Sequence, residues 1–202
     1  MANPLIEPMW EGLHVLAHVE AADRSISGEA TCVLIASDGE DVSDVEPAVT
    51  SALARALQAS DAVLDGYVTD QATRRGEGIS LAAAPRTRGN FITGMRVEPD
   101  VAPADGGDPD RPLAFVAIDL LRVDGQDLFD VPLLERKRIL DSVLEPRERV
   151  RVSPYTQPPL KPWLDSWRAS GFRGAMLKAA NSRYVPGRET DDWTDALASD
   201  RR

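Results

Sequence analysis

Four short apolar runs rich in β-branched residues, each closed by polar or turn-forming residues, limit most strongly how this chain can fold. They are residues 13–19 (LHVLAHV), 30–36 (ATCVLIA), 62–69 (AVLDGYVT) and 113–123 (LAFVAIDLLRV). Runs of this length with polar breaks on both sides read as strands. AADRSISGE joins the first two, and SDGED at 37–41 follows the second. Val45, Val49, Leu53 and Leu57 recur every four residues, which predicts a helix over about 45–58, with Asp44 or Ser43 placed to cap it. A second helix is expected in VPLLERKRILDSVL, with Leu133, Leu134, Leu140, Val143 and Leu144 on one face and Glu135, Arg136 and Arg138 largely on the other. A third is expected over Leu160–Ala169, its Trp163 and Trp167 packing inward. Arg149–Val152 alternates like an exposed-edge strand, Ala175–Lys178 reads as a strand, and Tyr184–Arg188 as a turn held by Pro186 and Gly187. Strands and helices mix without a βαβ rhythm, which predicts an α+β fold with antiparallel sheets.

Between residues 70 and 112 the pattern dissolves. FITGMRV at 91–97 has strand character, but the Pro-, Gly- and Asp-dense stretch after it predicts a mobile surface loop over about 98–112. The net charge of -10 argues against strong direct binding of nucleic acid, whose grip on a protein comes from counterions displaced by Lys and Arg. The single cysteine, Cys32, lies in an apolar run and has neither an internal disulfide partner nor zinc-ligand spacing. MANPLIEPMWEG has no basic-then-apolar leader, and nothing approaches the roughly 18 apolar residues of a membrane span, so the expected location is the cytoplasm.

Four segments, in order, carry a resemblance. EPMWEGLHVLAHV (7–19) is similar to a Lys-x-Asp-Gly-x-Arg segment before a strand, and AVLDGYVT (62–69) to a strand ending in Asp-Gly-Glu. FVAIDLLRVDGQDLFDVPLLERKRIL (115–140) is similar to a strand, an Asp-Gly turn and a Pro-Leu helix. GFRGAMLKAANSRYVPGRETDDW (171–193) is similar to Glu-Gly-x-x-x-Lys, then Ser-x-Tyr-x-Pro-Gly-Arg and the start of Trp-x-Lys-x-Lys. Together they resemble the adenylation domain of ATP-dependent DNA ligases. The resemblance implies two antiparallel sheets flanked by helices around a groove where ligases hold ATP. It also implies an OB-fold domain that no segment after Arg202 supplies, so the expectation is one adenylation-like domain over residues 1–202 with no OB-fold domain.

In that family a lysine amine attacks the α-phosphate of ATP, and AMP rests on its nitrogen before passing to a DNA 5′-phosphate. The matching position here is Met9, whose thioether cannot form a phosphoramidate. The family's Asp is Glu11 and its Arg is His14, while Gly12 is kept. The ribose-binding glutamate is Tyr67, the glutamate before Gly174 is Arg173, and a basic turn residue is Ser37. The two final lysines are Asp195 and Leu197, which leaves Lys178 as the remaining phosphate-facing cation of the pattern. Each cation lost near a polyphosphate removes on the order of a few kcal/mol of attraction in a partly buried site. The expectation is a pseudoenzyme with no catalytic residue and no cofactor, although the family uses ATP and Mg.

Other residues are weighed beside it. Phe115 matches the family's adenine-stacking aromatic, but a Phe opening a strand is more often core. Glu7 and Trp10 border the expected pocket. Asp65 and Asp119, on separate strands, are weak grounds for a metal, and none is expected. His14 and His18 share a strand face without a third ligand. Arg136, Lys137 and Arg138, with Arg147, Arg149 and Arg151, form the basic concentration, which is expected to be a solvated face among acids. Three functions follow: an interaction or regulatory module with a protein partner in DNA repair; a divergent ligase or nucleotidyltransferase using Lys178 or Lys161 as nucleophile; or a module that holds a purine nucleotide without reacting.

Overall fold

The computed structural model describes residues 4–21, 30–71, 112–188 and 190–197. Most of the expected loop over 98–112, and the run at 91–97, lie outside the described residues.

The larger sheet is built on β2 (Leu13–Glu20), β3 (Thr31–Ala36), β4 (Asp61–Thr69) and β5 (Ala114–Val123). Its order is β3-β2-β4-β5-β6, where β6 is Gln126–Asp127, and these neighbours are antiparallel. The β5–β6 hairpin turns on Asp124 and Gly125, both at positive φ (47° and 74°), the geometry a two-residue turn needs to match strand twist. In β2 the odd positions Val15, Ala17 and Val19 are buried, and His14, Leu16 and His18 occupy the other face. The buried face is covered by α1 (Pro47–Ala56) and α2 (Leu133–Val143), whose Val49, Leu53 and Leu140 join the same core as Val15 and Leu64.

The smaller sheet has the order β1-β8-β9, from β1 (Pro4–Pro8), β8 (Gly174–Ala179) and β9 (Trp193–Leu197), also antiparallel. A second core lies against it: Trp163 and Trp167 of α3 (Leu160–Ala169) meet Ile6, Trp10, Phe172 and Ala175, with Val116 and Ile118 of β5 closing it from the larger sheet. The fold is therefore α+β, two sheets flanked by helices, as the sequence predicts.

Several local expectations are corrected. Neither Asp44 nor Ser43 caps α1. Residues Ser43–Val45 form a 3-10 turn, Glu46 holds the cap position without a side-chain bond, and Pro47 starts the helix, where its missing N–H costs nothing. The Ser43 hydroxyl instead accepts the Leu34 N–H at 2.9 Å. Arg149–Val152 is not an exposed edge. Val150–Val152 forms β7, which pairs in parallel with β5 and buries Val150 fully. The α2 face is also different. Arg136 and Lys137 are not solvated but fully buried. They stand three and four residues after Leu133 and one turn before Leu140, so helical geometry puts them on the inward stripe. Carboxylates meet them there.

Candidate functional site

β1, β8 and the turn between β1 and β2 carry most of the positions singled out in the sequence. Met9 lies in that turn, and its N–H donates to the Gly174 carbonyl at 3.0 Å. Gly12 sits at φ +134°, and a Cβ there would meet the Val68 carbonyl oxygen at 2.5 Å. Only glycine fits that approach. Trp10 fixes the turn from within, donating its indole N–H to Ser153 Oγ at 2.9 Å and meeting Phe172 edge-on at 4.9 Å.

Two of the altered positions pair with each other. The Arg173 guanidinium lies 3.2 Å from Glu11 Oε1, with both side chains substantially exposed. A carboxylate and a cation that would each face a ligand are here in mutual contact, though an exposed pair of this kind is weak, roughly 0–1 kcal/mol.

Below them is a buried ionic cluster. Glu7 is 1 % exposed, and its carboxylate lies 2.7 Å from Lys137 Nζ and 3.3 Å from Lys178 Nζ. Ser153 donates to it at 3.1 Å. The Lys137 contact is an ion pair of poor hydrogen-bond directionality, whereas Lys178 donates a hydrogen bond. Burial alone would push the Glu7 carboxyl up, but Lys137, Lys178 and Ser153 together hold it below the usual glutamate value. Burial pulls the Lys178 ammonium down, aided by Lys137, while Glu7 opposes. Lys178 also lies 3.9 Å over the Trp193 ring, a cation–π contact from β9. The ammonium is thus sealed and neutralised within the protein.

His14 and Asp65 form a second cluster on the neighbouring sheet. His14 Nε2 lies 2.6 Å from Asp65 Oδ1, and the His14 ring is tilted beside Tyr67 at 5.0 Å. The hydrogen bond that the His14 ring donates to the Asp65 carboxylate raises the His14 pKa, against burial and the positive Lys178. Burial, then the negative Asp65 and Glu7, push the Tyr67 phenol up. Phe115, the expected stacking residue, is fully buried in the core with α1 and α2 and lies over Gly66, where an added Cβ would meet its ring carbon Cζ at 2.5 Å. It is a core residue here.

Asp65 and Asp119 are register partners across β4 and β5, but each is committed elsewhere: Asp119 takes Arg136 through two bonds of 2.9 and 2.6 Å, and Asp65 takes His14. Among the described residues no group of three or more His, Cys, Asp or Glu is placed to hold a metal ion. A surface depression at the far end of β2, lined by His18, Glu20, Asp61 and Arg122, is separate from both clusters. The sequence reading missed Lys137 and Ser153. For Lys137 the signal was its helical spacing from Leu133 and Leu140.

A family model described as the ATP dependent DNA ligase domain matches residues 26–195, most of the chain. The chain belongs to the ATP-dependent DNA ligase family. This ligase-family domain is similar to a protein named "Probable DNA ligase" from Mycobacterium sp. (strain KMS), 32 % identical over 156 residues, which cover 77 % of this chain. The chain spans only 29 % of that relative's length. In fold it is similar to the ligase domain of Mycobacterium tuberculosis LigD (TM-score 0.63, 22 % identity, 97 % of this chain and 54 % of that one). It is also similar to a mycobacterial DNA ligase D described as complexed with ATP and MES (TM-score 0.64, 20 % identity, 97 % and 55 %). These likenesses show the adenylation-domain fold. No helix among the described residues is long and apolar enough to cross a membrane.

Proposed function

We propose that this chain is a ligase-derived domain that does not carry AMP on a lysine and serves as an interaction or regulatory module, with a protein partner in DNA repair, in the cytoplasm. One observation supports the reading: Lys178, the phosphate-facing cation of the motif resemblance, is already occupied by Glu7 and covered by Trp193, and by that same resemblance Met9 stands at the nucleophile position. A thioether has no nitrogen lone pair to attack a phosphate. A polyphosphate would have to displace Glu7 to reach Lys178.

A substitute nucleophile is the weaker alternative. A lysine with a lowered pKa is chemically what such a role needs, but Lys178 is 2 % exposed and ion-paired. Lys161 pairs with Asp165 on the surface of α3. A purine nucleotide held without reaction remains the other alternative, prompted by the ATP named for one structural neighbour. The deciding experiment incubates the full chain with α-labelled ATP and a divalent metal. No covalently labelled band and no thermal stabilisation by ATP is the expected result. A labelled band lost in Lys178→Ala would replace the proposal with the substitute nucleophile, and stabilisation without a band with the nucleotide-binding module. A pull-down then identifies the partner.

A further inference from the structure

Charges in and beside the candidate site occur in partnerships: Glu7 with Lys137 and Lys178, Asp119 with Arg136, Glu11 with Arg173, and Asp65 with His14. Of the cations in these sets, only the imidazole ordinarily exchanges its proton near neutral pH. The pair is also asymmetric in exposure. The Asp65 side chain is 4 % exposed and that of His14 is 42 % exposed, so a buried carboxylate depends on a ring that solvent protons can reach.

The contact joins two strands. His14 stands on β2 opposite Tyr67 of β4, and Asp65 lies two residues from Tyr67 on the same face. This is the end of β2 next to the Met9–Gly12 turn. The side-chain bond therefore ties the strands a second time, beyond their backbone ladder, where the turn leaves the sheet. We propose that His14 and Asp65 form a proton-operated latch between β2 and β4 beside the Met9–Gly12 turn. With the imidazole protonated, the contact is an ion pair as well as a hydrogen bond; with it neutral, the cationic half is lost and the contact weakens.

The groups facing His14 are Asp65 and Tyr67 from β4 and Lys178 from β8. Asp65 favours the protonated ring, Lys178 opposes it, and Tyr67 contributes a neutral ring. The balance is upward, so the latch contributes its full stability below the unfolded-state pKa and loses it as pH rises through the folded-state value. This inference is independent of whether the chain binds a nucleotide or a protein partner.

The chain has two histidines, His14 and His18, so proton NMR can follow each ring once His14→Asn assigns them. In the native protein His14 is expected to titrate at higher pH than in the same chain unfolded in urea, and Asp65→Asn is expected to bring it down. Amide protection factors around His14 and Leu16 should rise on going from about pH 8 to about pH 6 in the wild type, several-fold, and stay level in Asp65→Asn. An equal His14 midpoint in wild type and Asp65→Asn, or protection that ignores pH, would overturn the latch. If Asp65→Asn does not fold, the amide comparison is made with His14→Gln, and a pH response surviving there overturns it equally.

Discussion

Lys178 and Glu7 hold each other inside the protein, 3.3 Å apart, with neither side chain more than 2 % exposed. The same carboxylate also faces Lys137 at 2.7 Å, so one anion compensates two buried cations. Removing it leaves both ammonium groups without a counter-charge. Glu7→Gln is expected to destabilise the fold by about 3–5 kcal/mol in urea denaturation. Because the Glu7 carboxyl is held below its ordinary value, its contribution is present above the unfolded-state pKa and fades as pH falls through the folded-state value. The stability gap between wild type and Glu7→Gln should therefore shrink on acidification. A gap that does not change with pH would separate Glu7 from the two lysines.

Restoring the amine alone is not expected to restore the chemistry. Met9→Lys would place a nitrogen in the turn, yet Glu11 would still be engaged with Arg173, and Lys178 with Glu7. Intact-mass spectrometry after incubation with ATP and magnesium should show no adenylate adduct on Met9→Lys. An adduct would mean that the chain binds a triphosphate and that the missing lysine is the whole defect.

The Arg136–Asp119 pair lies at zero exposure on both sides, joined by two bonds. Breaking a buried pair costs far more than replacing it whole. Asp119→Asn should cost roughly 3–5 kcal/mol, whereas a double replacement with Asp119→Leu and Arg136→Met should recover most of that loss. Urea denaturation of the two variants measures the difference. Equal losses would indicate that Arg136 is needed for its further bonds, to the Val131 and Ser182 carbonyls.

Gly66 tests how closely β4 and β5 approach. A Cβ there would stand 2.4 Å from the Val116 carbonyl oxygen as well as against Phe115, and backbone cannot yield as a flexible side chain can. Gly66→Ala should destabilise by roughly 1–3 kcal/mol or more. The mutant melting temperature checks it, and an unchanged value would deny the close approach.

How much of this was readable beforehand differs by element. β2 through β5 declared themselves because each combines a β-branched apolar run with polar breaks. β1 did not: it is five residues long with proline at both ends and buried on both faces, so it shows no alternation. β9 holds its place through pairing with β8 and the Trp193–Lys178 contact rather than through its own pattern. For Arg136 and Lys137 polarity points outward, whereas their spacing from Leu133 points inward, and the spacing wins. At the candidate site, Met9, Glu11, His14, Tyr67 and Arg173 could be singled out by comparing short motifs. Their partnerships could not, since Glu11 and Arg173 are 162 residues apart and His14 and Asp65 are 51 apart.

The burial of β1 also bears on how the chain is made. Its five residues are made well before their partner strand β8, which lies about 170 residues downstream, as the 171-residue separation of Glu7 and Lys178 shows. At typical synthesis rates that interval is on the order of ten seconds or more, during which Leu5 and Ile6 have no sheet to join. Non-local pairing of this kind slows folding and prolongs the exposure of sticky segments. A chaperone that shields the nascent β1 segment would therefore protect this chain in the interval before β8 has been translated.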